Sequence, residues 1–247
     1  MLKKSLYLLL LLMLFTGCAT IIPIDTSVVT YKSDEVQYQD FKKSEIAVLP
    51  VLAGDGYEGF RRVTADKITS ALGKNLPNMK VLSQRETLNK LNEFNLSESY
   101  AKMMDDYSKT AILNRKTLNS IGNKLGCKYL LYSKVDTERS VEAFIVEGNV
   151  RSSKVIGVEI YAQLWDTNIG DLVWEGHGGS AAPENGYDVP NLIELSAEGL
   201  AKRISKSSFE VPAPEKASKI HSQQITNAYM PSLVISGLSL VFLLMML

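Results

Sequence analysis

A mixed α/β fold is what this 247-residue sequence predicts: an α+β sandwich in which one mixed sheet carries helices mainly on one face. Three observations carry that expectation. Ile46, Ala47, Val48 and Leu49, followed by Val51 and Leu52, form a nearly continuous apolar run, the pattern of a central strand buried on both faces. Residues 154–165 alternate, with Val158, Ile160, Ala162 and Leu164 pointing one way and Glu159, Tyr161, Gln163 and Trp165 the other. Amphipathic stretches with helical spacing separate the strands, in the order β-α-β-α-α-β-β-β-α.

The chain opens with a leader. Lys3 and Lys4 give a basic start, residues 6–15 are almost unbroken Leu, and Thr16 and Gly17 are small. That apolar stretch covers only ~15 Å as a helix, about half of a ~30 Å hydrocarbon core, so it is a poor permanent span. Leu14-Phe15-Thr16-Gly17-Cys18 resembles the lipobox of bacterial lipoproteins. In those proteins the Cys thiol takes a diacylglycerol and becomes the new N-terminus, which makes Cys18 the expected lipidation site. The other reading is a plain secretion signal with an incidental Cys. Only 2 Cys occur, so lipidation of Cys18 leaves Cys127 without a partner. Cys127 then serves as a small buried hydrophobe, the alternative being a disulfide between the two.

Residues 1–17 are therefore expected as a signal peptide and 18–44 as a polar, lipidated tether. A globular domain follows over 45–209. After the first strand and a Gly-rich loop, Phe60, Val63, Ile68, Ala71 and Leu72 mark one face of a helix over 58–75. Residues 79–82 form a short strand. Ser83 and Glu86 are spaced as a capping box for a helix whose Leu88 and Leu91 face inward. A charged stretch, 97–112, reads as another helix. Leu118, Ile121 and Leu125 line a helix from about Asn114, with Gly126 suited to its C-cap and a strand over 127–135 next. Residues 166–171 are turn-forming, 172–177 return as a partner strand, and Leu192, Leu195, Leu200 and Ile204 mark a final helix over 189–207.

Net charge excludes one class of partner. The whole chain is formally +0, and losing Lys3 and Lys4 leaves 25 Lys+Arg against 27 Asp+Glu. No basic excess is present for nucleic acid.

Three stretches together resemble the curli-secretion lipoprotein family (CsgG-like) and its relatives, the lipoprotein activators of penicillin-binding proteins. The first is Ile46-Ala47-Val48-Leu49-Pro50 with its Gly loop. The second is Val81-Leu82-Ser83-Gln84-Arg85-Glu86 with the later Leu125-Gly126-Cys127-Lys128-Tyr129-Leu130. The third runs from Val158 through Leu164-Trp165-Asp166-Thr167-Asn168-Ile169-Gly170-Asp171 to Trp174. The resemblance implies the family's globular fold. Its pore-forming members also carry two membrane hairpins per subunit. Here residues 137–153 are barely long enough for one and hold Glu138, Arg139, Glu142, Glu147 and Arg151 without lipid-facing alternation. Residues 178–188 are too short for the other, so a non-pore member is expected.

Motifs for chemistry are sparse. Gly54-Asp55-Gly56-Tyr57-Glu58-Gly59 matches G-x-G-x-x-G between a strand and a helix. Asp55 and Glu58 would oppose a pyrophosphate there, and Ser83, Gln84 and Arg85 stand where an acidic ribose contact belongs. The structural reading is a Gly-rich loop. His177 and His221 are far apart and lack metal-ligand spacing. Gly176-His177-Gly178-Gly179 reads as a strand-end loop, since no nucleophile elbow accompanies it. Tyr161, Trp165 and Trp174 either line a partner surface or pair across strands under the final helix, the second being favoured.

The tail completes the chain. Residues 210–231 form a Pro-containing linker, and Ser232 to Leu247 carry no charge. Sixteen helical residues reach ~24 Å, and Ser232, Ser236, Gly237 and Ser239 gather on one side, a face suited to packing in lipid or in an oligomer. Packing on the domain itself is one alternative. A removable GPI-type signal with Ala217 and Ser218 as its small residues is another. Ala19 after the lipidated Cys favours the outer membrane by the family rule, whereas an apolar helix suits the inner one.

The expectation for function is a non-enzymatic envelope lipoprotein without cofactor or metal. It would meet the membrane through Cys18, with 232–247 as a further contact, and bind envelope proteins or copies of itself to assist secretion or surface-structure assembly. Alternatives are an activator of a peptidoglycan synthase and a nucleotide or small-ligand binder using Gly54 to Gly59.

Overall fold

The computed structural model describes residues 23–33, 44–146, 149–184 and 186–205, with 141–153 described as backbone. Among these described residues eight strands form one mixed sheet: β1 (Ile24–Asp25), β2 (Val28–Lys32), β3 (Glu45–Val48), β4 (Leu52–Ala53), β5 (Lys80–Leu82), β6 (Tyr129–Val146), β7 (Asn149–Asp166) and β8 (Asp171–Pro183). The helices are α1 (Arg61–Asn75), α2 (Gln84–Glu93), α3 (Ser97–Thr110), α4 (Arg115–Leu125) and α5 (Val189–Ser205), and a 3-10 turn, Glu58–Phe60, leads into α1. Across the sheet the order is β1-β8-β7-β6-β3-β5, with β2 also on β8 and β4 also on β6. β6, β7 and β8 make an antiparallel meander, and β3, β4 and β5 join in parallel register. The mixed α/β class is the one the sequence predicts.

The alternation in β7 sorts the core into two. Val158, Ile160, Ala162 and Leu164, with Leu131 and Val135 of β6, pack against Ile68 and Leu72 of α1 and Leu192, Leu200 and Ile204 of α5. On the opposite face Leu130, Tyr132 and Trp165 meet Leu91 of α2, Met103 of α3, and Leu118 and Ile121 of α4. Helices thus lie on both faces, where one main helical face was expected. The reason is the start of β6: Tyr129, Leu130, Leu131 and Tyr132 are all buried, so both faces of the sheet need cover there. Three helices separate β5 from β6, and the charged 97–112 stretch supplies α3 as its reading as a helix expects.

Local signals are realised closely. The Ser83 hydroxyl accepts from the Glu86 N–H at 3.3 Å, and Glu86 accepts from the Ser83 N–H at 2.8 Å, a complete capping box. Asn114 caps α4 by accepting from the Thr117 N–H at 3.0 Å. Gly126 closes that helix at φ 71°, a left-handed conformation that glycine adopts freely.

Three differences come from long-range pairing. Residues 24–32, expected as tether, instead add β1 and β2 to the edge of β8, with Ile24 opposite Ala181 and Val28 opposite His177. Tether residues 18–22 and 34–43 lie outside the described chain, and so do His221, the 210–231 linker and the 232–247 segment. The strand expected over 127–135 becomes an 18-residue strand, paired with an 18-residue β7 from Tyr129–Asp166 to Val146–Asn149. This hairpin is longer than the sequence reading of 137–153 allowed. The 178–188 stretch does not form a second hairpin, because β8 continues to Pro183 and α5 begins at Val189.

Candidate functional site

The Gly-rich loop is built for packing. Gly54 donates to the Val135 carbonyl at 3.0 Å, and a Cβ on Gly54 would fall 2.7 Å from an Asp136 carboxylate oxygen. The Asp136 carboxylate thus lies over Gly54 and adds to the negative charge of Asp55 and Glu58. A phosphate would meet carboxylates here, and the helix that follows is a short 3-10 turn rather than a free α-helix N-terminus.

Gly176-His177-Gly178-Gly179 has a similar explanation. Gly178 sits under α5, where a Cβ would lie 1.8 Å from the Ser196 carbonyl oxygen. Ser196 and Ser180 complete the seat: the Ser196 hydroxyl donates to the Val158 carbonyl at 2.9 Å, and the Ser180 hydroxyl donates to the Leu192 carbonyl at 2.8 Å. Helix backbone therefore rests almost directly on strand backbone. His177 points to the other face, half-buried, with its ring 6.3 Å from that of Tyr161. Among the described residues no group of three or more His, Cys, Asp or Glu side chains is arranged to hold a metal ion.

The three aromatics singled out by sequence are divided between the faces. Trp174 is fully buried in the core beneath α5. Tyr161 and Trp165 lie on the opposite face, where Trp165 packs edge-on to Tyr107 of α3 at 6.5 Å. The expectation that all three share a surface under the final helix therefore fails. A register shift after Leu164 pairs Leu164 with Trp174 but Trp165 with Leu172, which sets Trp174 on the α5 side.

On the α3 side the structure assembles a polar and aromatic cluster that the sequence reading missed. Gln163, 6% exposed, accepts from the Tyr107 hydroxyl at 2.6 Å and from the Trp165 indole N–H at 3.2 Å. Its amide donates to the Tyr161 hydroxyl at 2.6 Å and to Glu175 at 2.7 Å. Tyr161 also donates to Glu175 at 2.7 Å, and Thr30 of β2 donates to the other carboxylate oxygen at 2.9 Å. Burial pushes the Glu175 carboxyl up, but these three hydrogen bonds outweigh it and hold the group below the ordinary carboxylate value. Burial, and then the bond to ionised Glu175, keep the Tyr161 phenol protonated far above its ordinary range. Each strong donor and acceptor is thus taken by a neighbour. The cluster ties α3, β7, β8 and the tether-derived β2 together, which suits it to fixing geometry rather than to proton transfer. In sequence the only trace was the outward-facing set Tyr161, Gln163 and Trp165.

Cys127 is buried at 3% exposure with a free thiol, which burial pushes up to about 11. It behaves as the small hydrophobe the sequence suggested.

The N-terminal edge of the described domain is held by its own contacts. Thr26 donates to the Gly179 carbonyl at 2.9 Å, the Gly179 N–H donates to the Ser27 hydroxyl at 3.0 Å, and Asp25 accepts from the Ser27 N–H at 2.9 Å. A shallow cleft beside it runs between β1 and α5, lined by Ile24, Asp25, Glu198 and Lys202 among others.

No known protein family and no curated protein matches this sequence. Solved structures do match in outline. A PelC dodecamer from Paraburkholderia phytofirmans is 10% identical, with 76% of this chain and 100% of that one covered at a TM-score of 0.42. Lipoprotein GNA1162 from Neisseria meningitidis is 17% identical, with 66% and 98% covered at 0.36. The LpoB C-terminal domain from Salmonella enterica is 17% identical, with 60% and 86% covered at 0.35.

Proposed function

We propose that this chain is a bacterial envelope lipoprotein, held in a membrane by a lipid on Cys18, whose domain assists envelope assembly or secretion by binding other proteins without catalysing a reaction. The observation that carries the reading is the leader, with its basic start, apolar stretch and Leu14-Phe15-Thr16-Gly17-Cys18 ending. The sequence resemblance to the curli-secretion lipoproteins and their peptidoglycan-synthase-activating relatives supports it. So does the way the domain uses its polar groups: Glu175, Tyr161 and Gln163 are consumed in holding elements together. Against the nucleotide-binding alternative stands the Asp136 carboxylate beside Gly54, a further negative charge next to Asp55 and Glu58. Ala19 favours the outer membrane.

Two measurements test this. Mass spectrometry of the mature chain is expected to find diacylglyceryl on Cys18, and Cys18→Ala is expected to shift the protein out of the membrane fraction; an unmodified Cys18 overturns the anchor. Photo-crosslinking from surface positions of the domain in intact cells is expected to recover an envelope protein or a second copy. Recovery of neither sinks the assembly role.

A further inference from the structure

The N-terminal strands lie in a seat that two glycines keep clear. Besides the bonds that Thr26 and Ser27 make to Gly179, the Ser33 N–H donates to the Val173 carbonyl at 3.0 Å. A Cβ on Gly179 would run into the Thr26 hydroxyl, and one on Gly199 of α5 into the Ser27 hydroxyl. The three atoms nearest to each such Cβ all belong to residues 25–27. A strand and a helix thus each give up a side chain to admit this one segment.

The seat is specific, but the segment it holds is lightly buried. Of residues 23–33 only Ser27 and Val29 are buried. β1 is two residues long and β2 five, with a register shift between Val29 and Tyr31. The Thr30–Glu175 hydrogen bond and the Asp25–Arg203 ion pair, at 3.9 Å, are exposed. An edge segment with so few buried contacts opens at a lower free energy than the sheet it leans on.

Opening would move the point from which the domain hangs. Ile24 is level with Ala181 of β8 and Gly157 of β7. Ile46, next to the start of β3, is level with Tyr129 of β6 and Asp166 of β7. Gly157 and Asp166 stand nine residues of strand apart, ~30 Å, so β1 and β3 begin at opposite ends of the sheet. With the segment seated, six residues lead from Cys18 to Ile24 and span at most ~22 Å whatever their conformation. With it released, 27 residues lead from Cys18 to Glu45 and span up to ~97 Å.

We propose that residues 24–33 are a clasp, seated on Gly179 and Gly199, whose opening sets how closely, and by which end of the sheet, the domain hangs from the lipid on Cys18. The proposal rests on the lipid-anchor reading and gives the tether a second, longer state. Closed, the clasp keeps the β1 end of the domain at the membrane. Open, it lets the domain reach envelope proteins that stand off from that membrane.

The test uses the full, acylated chain in phosphatidylethanolamine–phosphatidylglycerol vesicles. Hydrogen exchange read by mass spectrometry should show 24–33 exchanging about tenfold or more faster than 158–164 of β7. Equal rates would mean that the clasp opens only with the whole sheet, which overturns the proposal. Donor dyes on Asn191→Cys and Ile169→Cys, paired with an acceptor on the lipid headgroups, then report the hanging point. Asn191 is exposed beside Leu192, whose carbonyl meets Ser180 at the Asp25 rung, and Ile169 lies in the turn at the opposite end. Transfer should be severalfold more efficient from 191 than from 169.

Gly179→Val with Gly199→Leu should strip 24–33 of its protection and abolish that difference, while 158–164 stay protected. Should the pair fail to fold, Gly199→Ala alone, which favours the helix, should act in the same direction. Undiminished protection of 24–33 in a folded variant shows that the glycines do not form the seat and overturns the proposal. So does an undiminished difference between the two dyes once 24–33 is unprotected. If Cys18 proves unmodified, the anchor reading falls and takes the hanging point with it, an outcome distinct from failure of the clasp on an acylated chain.

Discussion

The two faces of the sheet are held by different physics. Under α1 and α5 the contact is dry and close, with Trp174 fully buried, Gly178 admitting the Ser196 carbonyl, and the Ser180 and Ser196 hydroxyls spent on backbone carbonyls. Under α3 the cover is partial, and Tyr107, Tyr161, Gln163, Trp165 and Glu175 hold it through a hydrogen-bond network. The difference teaches where each face can fail. Shape errors break the first, because close-packed backbone has no room to yield. Lost partners weaken the second, because an unpaired buried polar group carries its full desolvation cost.

The largest effect is expected at Trp174. Trp174→Ala removes a fully buried side chain and should cost ~4 kcal/mol by urea unfolding. Trp174→Phe should cost far less, because the indole N–H finds no partner in its buried setting. A large loss in the Phe variant would show that the nitrogen, and not the volume, matters. Gly178→Ala comes next at ~3 kcal/mol, since the added methyl meets helix backbone 1.8 Å away. Near-neutral behaviour would mean that α5 can lift without penalty.

On the other face Gln163→Ala should cost ~2 kcal/mol by leaving Tyr107 and Trp165 without their acceptor. If it matched Trp174→Ala, the contrast between the faces would collapse. Glu175 sharpens the same point through pH. Its folded value lies below its unfolded one, so its contribution is complete above ~4.3 and is lost as pH falls through the lower folded value. Glu175→Gln should therefore flatten the acid limb of stability measured between about pH 7 and pH 3. An unchanged limb would remove Glu175 from the network's energetics. Smallest is Ser83→Ala, ~1 kcal/mol for the lost cap on α2, independent of either face.

Legibility tracked the range of the interaction. The capping box of Ser83 and Glu86, the stop at Gly126 and the alternation from Val158 to Trp165 were readable because each involves residues a few positions apart. The polar cluster was not. Thr30 bonds Glu175 across 145 positions and Tyr107 bonds Gln163 across 56, and no periodicity in either segment announces its partner. The loop motif illustrates a different limit. Gly54 to Gly59 has the outline of a phosphate cradle, and only the fold brings the Asp136 carboxylate beside its first glycine.

By itself the sequence determined the α/β class, most element positions, the buried run of β3 and the expectation of a lipid at Cys18, since these depend on local pattern and on a contiguous leader. Tertiary structure decided which face each aromatic occupies, that residues 24–32 are strand, and how far the β6–β7 hairpin projects. The physical reason is that a strand's role depends on its neighbour across the sheet. Ile24 and Val28 sit in a largely polar stretch without sustained periodicity, and they become an edge of the sheet only because β8, some 150 positions later, presents backbone groups to pair with them.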